Sequence, residues 1–233
     1  MSGKLYIVAT PIGNLKDITY RAVEILKSVE YIACEDTRKT GILLKEYSIN
    51  NAKLISYHDH NKDSKGKHIM NILLGGGDIA LVSDAGTPAI NDPGFNVVRD
   101  ARIEGVEVIG IPGPSAAINA LAVSGLPTDR FCYEGFLPVK KGRQTMLKKI
   151  QAEERTIILY ESVHKIVRTI SDLKEYIDDR KIVVMREMTK IYEEYIFGTA
   201  DEVLSKLNDN NIKGEFVIII EGIGKKKDRT IEV

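Results

Sequence analysis

Apolar positions come in short blocks, and two kinds of block alternate along the chain. Residues 5–10, 31–34, 54–57, 79–82 and 106–111 are near-continuous runs of Leu, Ile, Val, Ala and Tyr. Between them apolar residues recur at helical spacing, as in Ile18, Ala22, Val23, Ile25 and Leu26, and again over 37–47, 64–74 and 93–103. Strands that lack polar alternation are buried on both faces, so this rhythm predicts a parallel sheet covered by helices on each side. Breakers mark the ends: Pro11 and Gly13, the triplet Gly75, Gly76 and Gly77, then Gly105, and Pro112, Gly113 and Pro114. Thr37 is the expected N-cap of the second helix, and Asp92 or Asn91 that of the fourth, with Pro93 at its first position.

After Pro114 the rhythm changes. Helical patterns cover 115–123, 144–152, 163–176 and 200–207, with strand-like runs at 131–133, 156–160, 182–185, 194–197 and 216–220. The connection between the runs at 182–185 and 194–197 is too short for a crossover, which predicts an antiparallel pair and a mixed sheet. The expected organisation is an α/β domain over 1–114 with a mainly parallel sheet and a second α/β domain over 115–233. The tail from Gly224, with Lys225, Lys226 and Lys227, is expected to fray.

Composition narrows the classes. The 233 residues are 43% hydrophobic, 28% charged and 6% aromatic, an ordinary globular mixture that excludes a disordered chain. Lys plus Arg and Asp plus Glu both number 33, so no global basic field draws the protein to nucleic acid. Any such binding must use a local patch, and residues 140–143 (KKGR), with Lys148 and Lys149 beyond, form the best one, beside Phe136 and Pro138. Two cysteines, Cys34 and Cys132, make neither a disulfide framework nor a metal set. No run approaches the ~18 apolar residues of a membrane span and no signal peptide opens the chain, so a soluble cytoplasmic protein is expected.

Chemistry collects where strands end. TPIGNL (10–15), SDAGTPAINDPG (83–94) and PGPSA (112–116) follow the first, fourth and fifth strands, and ligands of open α/β sheets bind at that edge. Each segment also reads as a plain turn, cap or hinge. Glu35, Asp36, Thr37, Arg38 and Lys39 open the second helix, either as dipole-compatible acids or as a polar cluster that orients a substrate hydroxyl. No G-x-G-x-x-G follows the first strand, and Walker A and G-x-S-x-G motifs are missing. His58 and His60 share one side of an extended segment, but His68 and His164 lie elsewhere and no metal is expected.

Taken in order, these loops and CEDTR (34–38) resemble the tetrapyrrole (corrin/porphyrin) methylase superfamily, and within it the small-subunit ribosomal RNA cytidine 2′-O-methyltransferases. YEGFLP (133–138), LYESVHK (159–165), REMTKIYEE (186–194) and GEFVIIIEG (214–222) carry the likeness through nearly the whole chain. The resemblance implies two α/β domains with S-adenosylmethionine in the cleft between them, as a homodimer. It implies cofactor contacts from Pro11, Asp84, Ala85, Gly86, Thr87, Pro88, Ser115, Ala116, Tyr160, Met188 and Phe216. RNA-facing positions would be Thr37, Arg38, Lys141 and Arg143. Asp36 and Glu187 are the candidates for orienting or deprotonating a ribose hydroxyl, a poor nucleophile. The implied reaction is 2′-O-methylation of a cytidine in small-subunit (16S) ribosomal RNA, presented within the assembled subunit. The alternatives are a tetrapyrrole or protein substrate on the same fold, and a non-catalytic ribosome-assembly module. Relatives carry a further C-terminal segment that assists RNA contact, whereas this sequence stops soon after Gly222.

Overall fold

The computed structural model describes residues 2–208 and 210–224, and the lysine tail at 225–227 lies outside them. The chain splits into two compact units, Met1–Ser115 and Ala116–Val233.

The first unit is built on five parallel strands, β1 (Lys4–Val8), β2 (Tyr31–Cys34), β3 (Lys53–Ser56), β4 (Ile79–Leu81) and β5 (Glu107–Ile111), in the order β3-β2-β4-β1-β5. Four helices cross over: α1 (Tyr20–Ser28), α2 (Thr37–Glu46), α3 (Lys62–Leu74) and α4 (Gly94–Ile103). Successive strand residues face opposite ways, so the sheet carries two cores. Leu5, Ala33, Ile55, Ile79 and Leu81 pack with Ile69, Leu73, Val97 and Ala101 of α3 and α4. Val8, Ile32, Cys34, Ala80 and Ile111 pack with Ala22, Leu26 and Leu44 of α1 and α2. The expected parallel sheet, covered on both faces, is what forms.

Caps set the helix starts. The Thr19 side chain accepts from the Ala22 N–H at 3.2 Å and starts α1 at Tyr20, two residues later than the apolar pattern suggested. Asp36, not Thr37, caps α2: its carboxylate takes the Arg38 N–H at 2.9 Å, leaving Thr37 inside the first turn. A carboxylate one residue earlier reaches the second orphan N–H of the helix, which a Thr already in helical conformation cannot. Asp92 Oδ1 accepts from the Ala89 and Gly94 N–H groups at 2.9 and 2.7 Å, so it closes the loop and satisfies the first N–H of α4, but the N-cap itself is Pro93, one residue later than expected, and the helix begins at Gly94.

The second unit holds β6 (Phe131–Phe136), β7 (Thr156–Ser162), β8 (Ile182–Arg186), β9 (Glu194–Gly198) and β10 (Glu215–Ile220), in the order β6-β7-β10-β8-β9. Only β6 and β7 are parallel; the remaining pairs are antiparallel, so the sheet is mixed as expected. Helices α6 (Arg143–Ala152), α7 (Ile166–Ile177) and α8 (Ala200–Lys206) contribute to its core, and α5 (Ala116–Val123) packs on β7 and β10. In α7, Ile166, Ile170, Leu173 and Ile177 recur on one face and are fully or almost fully buried. Each such side chain contributes roughly 1.5–3 kcal/mol on leaving water.

Candidate functional site

Parallel strands end at one edge, so the loops after β1, β2, β4 and β5 meet there. Thr10 and Gly86 exchange backbone hydrogen bonds of 2.9 and 3.0 Å, and Thr10 Oγ1 donates to the Ser83 carbonyl at 3.1 Å. Thr87 Oγ1 donates to the Pro114 carbonyl at 3.1 Å. Gly86 has φ +83°, and a Cβ there would lie 3.4 Å from Ile12 Cγ2. Pro11 and Pro88 are buried, and Ala85 is exposed. Thus Pro11, the loop from Asp84 to Pro88 and Ser115 belong to one rim of close-packed backbone with little side-chain bulk. Ala89 (φ +68°) and Asn91 (φ +67°) continue it in the left-handed region, which non-glycine residues rarely adopt outside constrained sites.

Asp84 ties this rim to the loop after β2. Its Oδ1 accepts from the Asp36 N–H at 3.0 Å, and its Oδ2 bonds Lys39 Nζ at 2.8 Å. In the sequence Lys39 is only part of a helix-opening charge run, and no local pattern reports a partner so distant along the chain. Asp36 grips Arg38: Oδ1 accepts from the backbone N–H and Nε, and Oδ2 from Nη2 at 2.7 Å. The Arg38 side chain and then its backbone N–H hold the Asp36 carboxyl well below the usual carboxylate range. Glu35 moves the other way, raised first by burial and then by the nearby charges of Asp92 and Asp84.

On the second unit, the Tyr160 hydroxyl accepts from the Ala117 N–H at 3.1 Å, fixing its ring beside Ala116 at the start of α5. Glu187 (φ +50°) turns the chain after β8, and its Oε1 accepts from Lys190 Nζ at 2.9 Å and the Glu215 N–H at 3.0 Å. Burial raises this carboxyl, but those bonds outweigh it and the net shift is downward. A Cβ on Gly214 (φ +85°) would overlap the Glu187 carboxylate, so glycine there makes the space for it. Met188 is buried, and the Phe216 ring is part of the core, which removes that side chain from direct ligand contact.

Arg143 does not face RNA as the resemblance implies. Its side chain is buried: Nε bonds Asp172 Oδ2 at 2.7 Å, Nη2 donates to Thr169 Oγ1 at 2.9 Å, and Nη1 to the Pro138 carbonyl at 3.1 Å. Thr169 in turn donates to Glu161 Oε2 at 2.7 Å. A guanidinium engaged inward cannot face RNA. Lys141 is exposed, as is Arg38, though the latter is bound to Asp36. His58 Nε2 lies 3.1 Å from Asn61 Nδ2, and among the described residues no three His, Cys, Asp or Glu gather to hold a metal.

An all-parallel sheet with small-residue loops at its carboxyl edge, followed by a mixed-sheet unit, defines a two-unit α/β class with a ligand-binding edge. The chain belongs to the tetrapyrrole (corrin/porphyrin) methylases, whose family model matches residues 4–204, and is thereby a methyltransferase. It is 52% identical over 224 residues to the ribosomal RNA small subunit methyltransferase I of Escherichia coli O157:H7, covering 94% of this chain and 78% of that one. The Bacillus subtilis protein of the same name is 47% identical over 221 residues, covering 94% and 75%. Uroporphyrin-III C-methyltransferase from Thermus thermophilus, solved with S-adenosylhomocysteine, shares the fold at TM-score 0.63 and 17% identity, covering 94% of this chain and 97% of that one.

Proposed function

We propose that this chain transfers the methyl group of S-adenosylmethionine to the ribose 2′-hydroxyl of a cytidine in small-subunit (16S) ribosomal RNA. The observation that carries this reading is the 52% identity, across 94% of the chain, with a relative named for small-subunit ribosomal RNA methylation.

The residues present suit that donor. The loops at Pro11, Asp84 to Pro88 and Ser115 are tied together by the Thr10–Gly86 and Thr87–Pro114 hydrogen bonds and carry small side chains at Ala85, Gly86 and Ser115, which suits close approach of a nucleoside and an amino-acid tail. Ala116, Tyr160, Met188 and the backbone before Phe216 complete the assignment. When bound, the cofactor supplies an electrophilic sulfonium methyl. The chain's task is then to hold the ribose hydroxyl in line with it, and alignment supplies much of such a rate. Asp36 and Glu187 suit orientation better than proton removal, because hydrogen bonds keep both carboxyls depressed. Thr37, Arg38 and Lys141 are the proposed RNA-facing positions.

We assign the substrate to the small ribosomal subunit, which makes the protein cytoplasmic; no described helix is long and apolar enough to cross a membrane. A homodimer is the proposed state. Ile191 and Tyr192 before β9, and Tyr195 and Phe197 on it, are exposed apolar groups that a second copy would cover.

The test is methyl transfer from labelled S-adenosylmethionine to small subunits lacking the modification, followed by nucleoside mass spectrometry. Label in 2′-O-methylcytidine is expected. An unlabelled RNA, with cofactor binding shown by calorimetry, refutes the assignment, and label in a tetrapyrrole or a translation factor replaces it.

A further inference from the structure

Strand β6 contains a bulge. Its register against β7 runs Tyr133 to Ile158 and then Gly135 to Leu159, leaving Glu134 as an extra residue. Gly135 takes φ +64°, a conformation glycine adopts without penalty. In a regular strand Tyr133 and Phe136, three positions apart, would point to opposite faces. The extra residue returns them to one side. Both rings meet Tyr160 edge-on, with centroids 5.2 and 5.8 Å away and interplanar angles of 74° and 67°. Tyr160 is itself fixed through its hydroxyl to Ala117.

Phe136 is the outer member of this trio and remains 49% exposed. The loop that follows is anchored from below, because Arg143 Nη1 donates to the Pro138 carbonyl. Lys140 and Lys141 on that loop are exposed, and neither enters an ion pair among the described residues. A fixed, half-bare aromatic ring beside two free cations is the pairing that holds single-stranded nucleic acid. The ring stacks a base, and the cations neutralise neighbouring phosphates.

We propose that Phe136 is the stacking platform for an unpaired base of the substrate RNA, with Lys140 and Lys141 on the adjoining phosphates. The proposal rests on the RNA methyltransferase reading and adds the residue that recognises the substrate.

Wild type, Phe136→Ala, Phe136→Leu and Phe136→Tyr are compared by KM and kcat on small subunits. Anisotropy on a labelled single-stranded RNA oligonucleotide, calorimetry with S-adenosylmethionine and thermal melting complete the set. Phe136→Ala and Phe136→Leu are expected to raise KM and weaken oligonucleotide binding at least about fivefold, the lower end for losing one stacked base. Phe136→Tyr keeps the ring and should match wild type, while all variants retain cofactor affinity and melting temperature. Wild-type behaviour of Phe136→Leu overturns the proposal, because bulk then suffices. Lost cofactor affinity also overturns it and moves the ring to the cofactor. If wild type methylates no RNA, the functional reading fails separately, and the oligonucleotide titration alone decides Phe136: equal binding by wild type and Phe136→Ala, or none by wild type, overturns the platform.

Discussion

Arg143 and Asp84 are side chains whose partners lie far away in sequence, and both are structural struts. Truncating Arg143 leaves the buried Thr169–Glu161 pair without its cation and Asp172 with only the longer 3.8 Å pair to Arg168. Arg143→Ala is therefore expected to cost about 3 kcal/mol, the low end for breaking a buried pair, since Asp172 keeps some solvent contact. A thermal melt should fall by about 6–12 °C, and unchanged stability would show that the network contributes nothing. The sequence could not reveal this role. Arg143 stands in a run of lysines, and nothing local distinguishes the one cation that turns inward. Asp92 was legible only in part: N-D-P-G places a carboxylate where it takes the first N–H of the helix, but the cap position itself falls to Pro93. Asp84 is legible as part of a strand-end loop, but its bonds to Asp36 and Lys39 depend on how β2 and β4 lie side by side.

At the level of elements, hydrophobic period carried most of the information. Near-continuous apolar runs became the five strands of the parallel sheet, edges included, and the short link at 187–193 became an antiparallel turn. Irregularities were not legible. The bulge at Glu134 is set by pairing with β7, and the left-handed turn at Glu187 by its bonds to Lys190 and Glu215. The loop after β5 offers a test of close packing. A Cβ on Gly113 would lie 2.9 Å from Ala9 Cβ, whereas one on Gly110 meets nothing within 4 Å. Gly113→Ala should cost about 1–3 kcal/mol by forcing the PGPSA loop away from β1, with weaker cofactor binding. Gly110→Ala should be neutral or slightly stabilising. Denaturant titration distinguishes them, and equal stabilities would show that the loop shifts freely.

Across the whole molecule, charges cancel, and RNA affinity must come from few contacts. Removing Lys140 and Lys141 together should flatten the dependence of log K on log salt by about 0.7 per lysine on single-stranded RNA; an unchanged slope would place the phosphates elsewhere. Neutrality suits the proposed encounter with RNA already folded on a ribosomal subunit. The position of β1 has a different consequence. It lies between β4 and β5, and Leu5 pairs with Ile79 and Val108. As the chain is synthesised, this first apolar strand emerges long before either neighbour exists. At ~5–20 residues per second the wait for Val108 is about 5–20 s. For that interval the nascent N-terminus offers a bare, sticky ribbon, so production of active enzyme in the cell depends on what shields it during elongation.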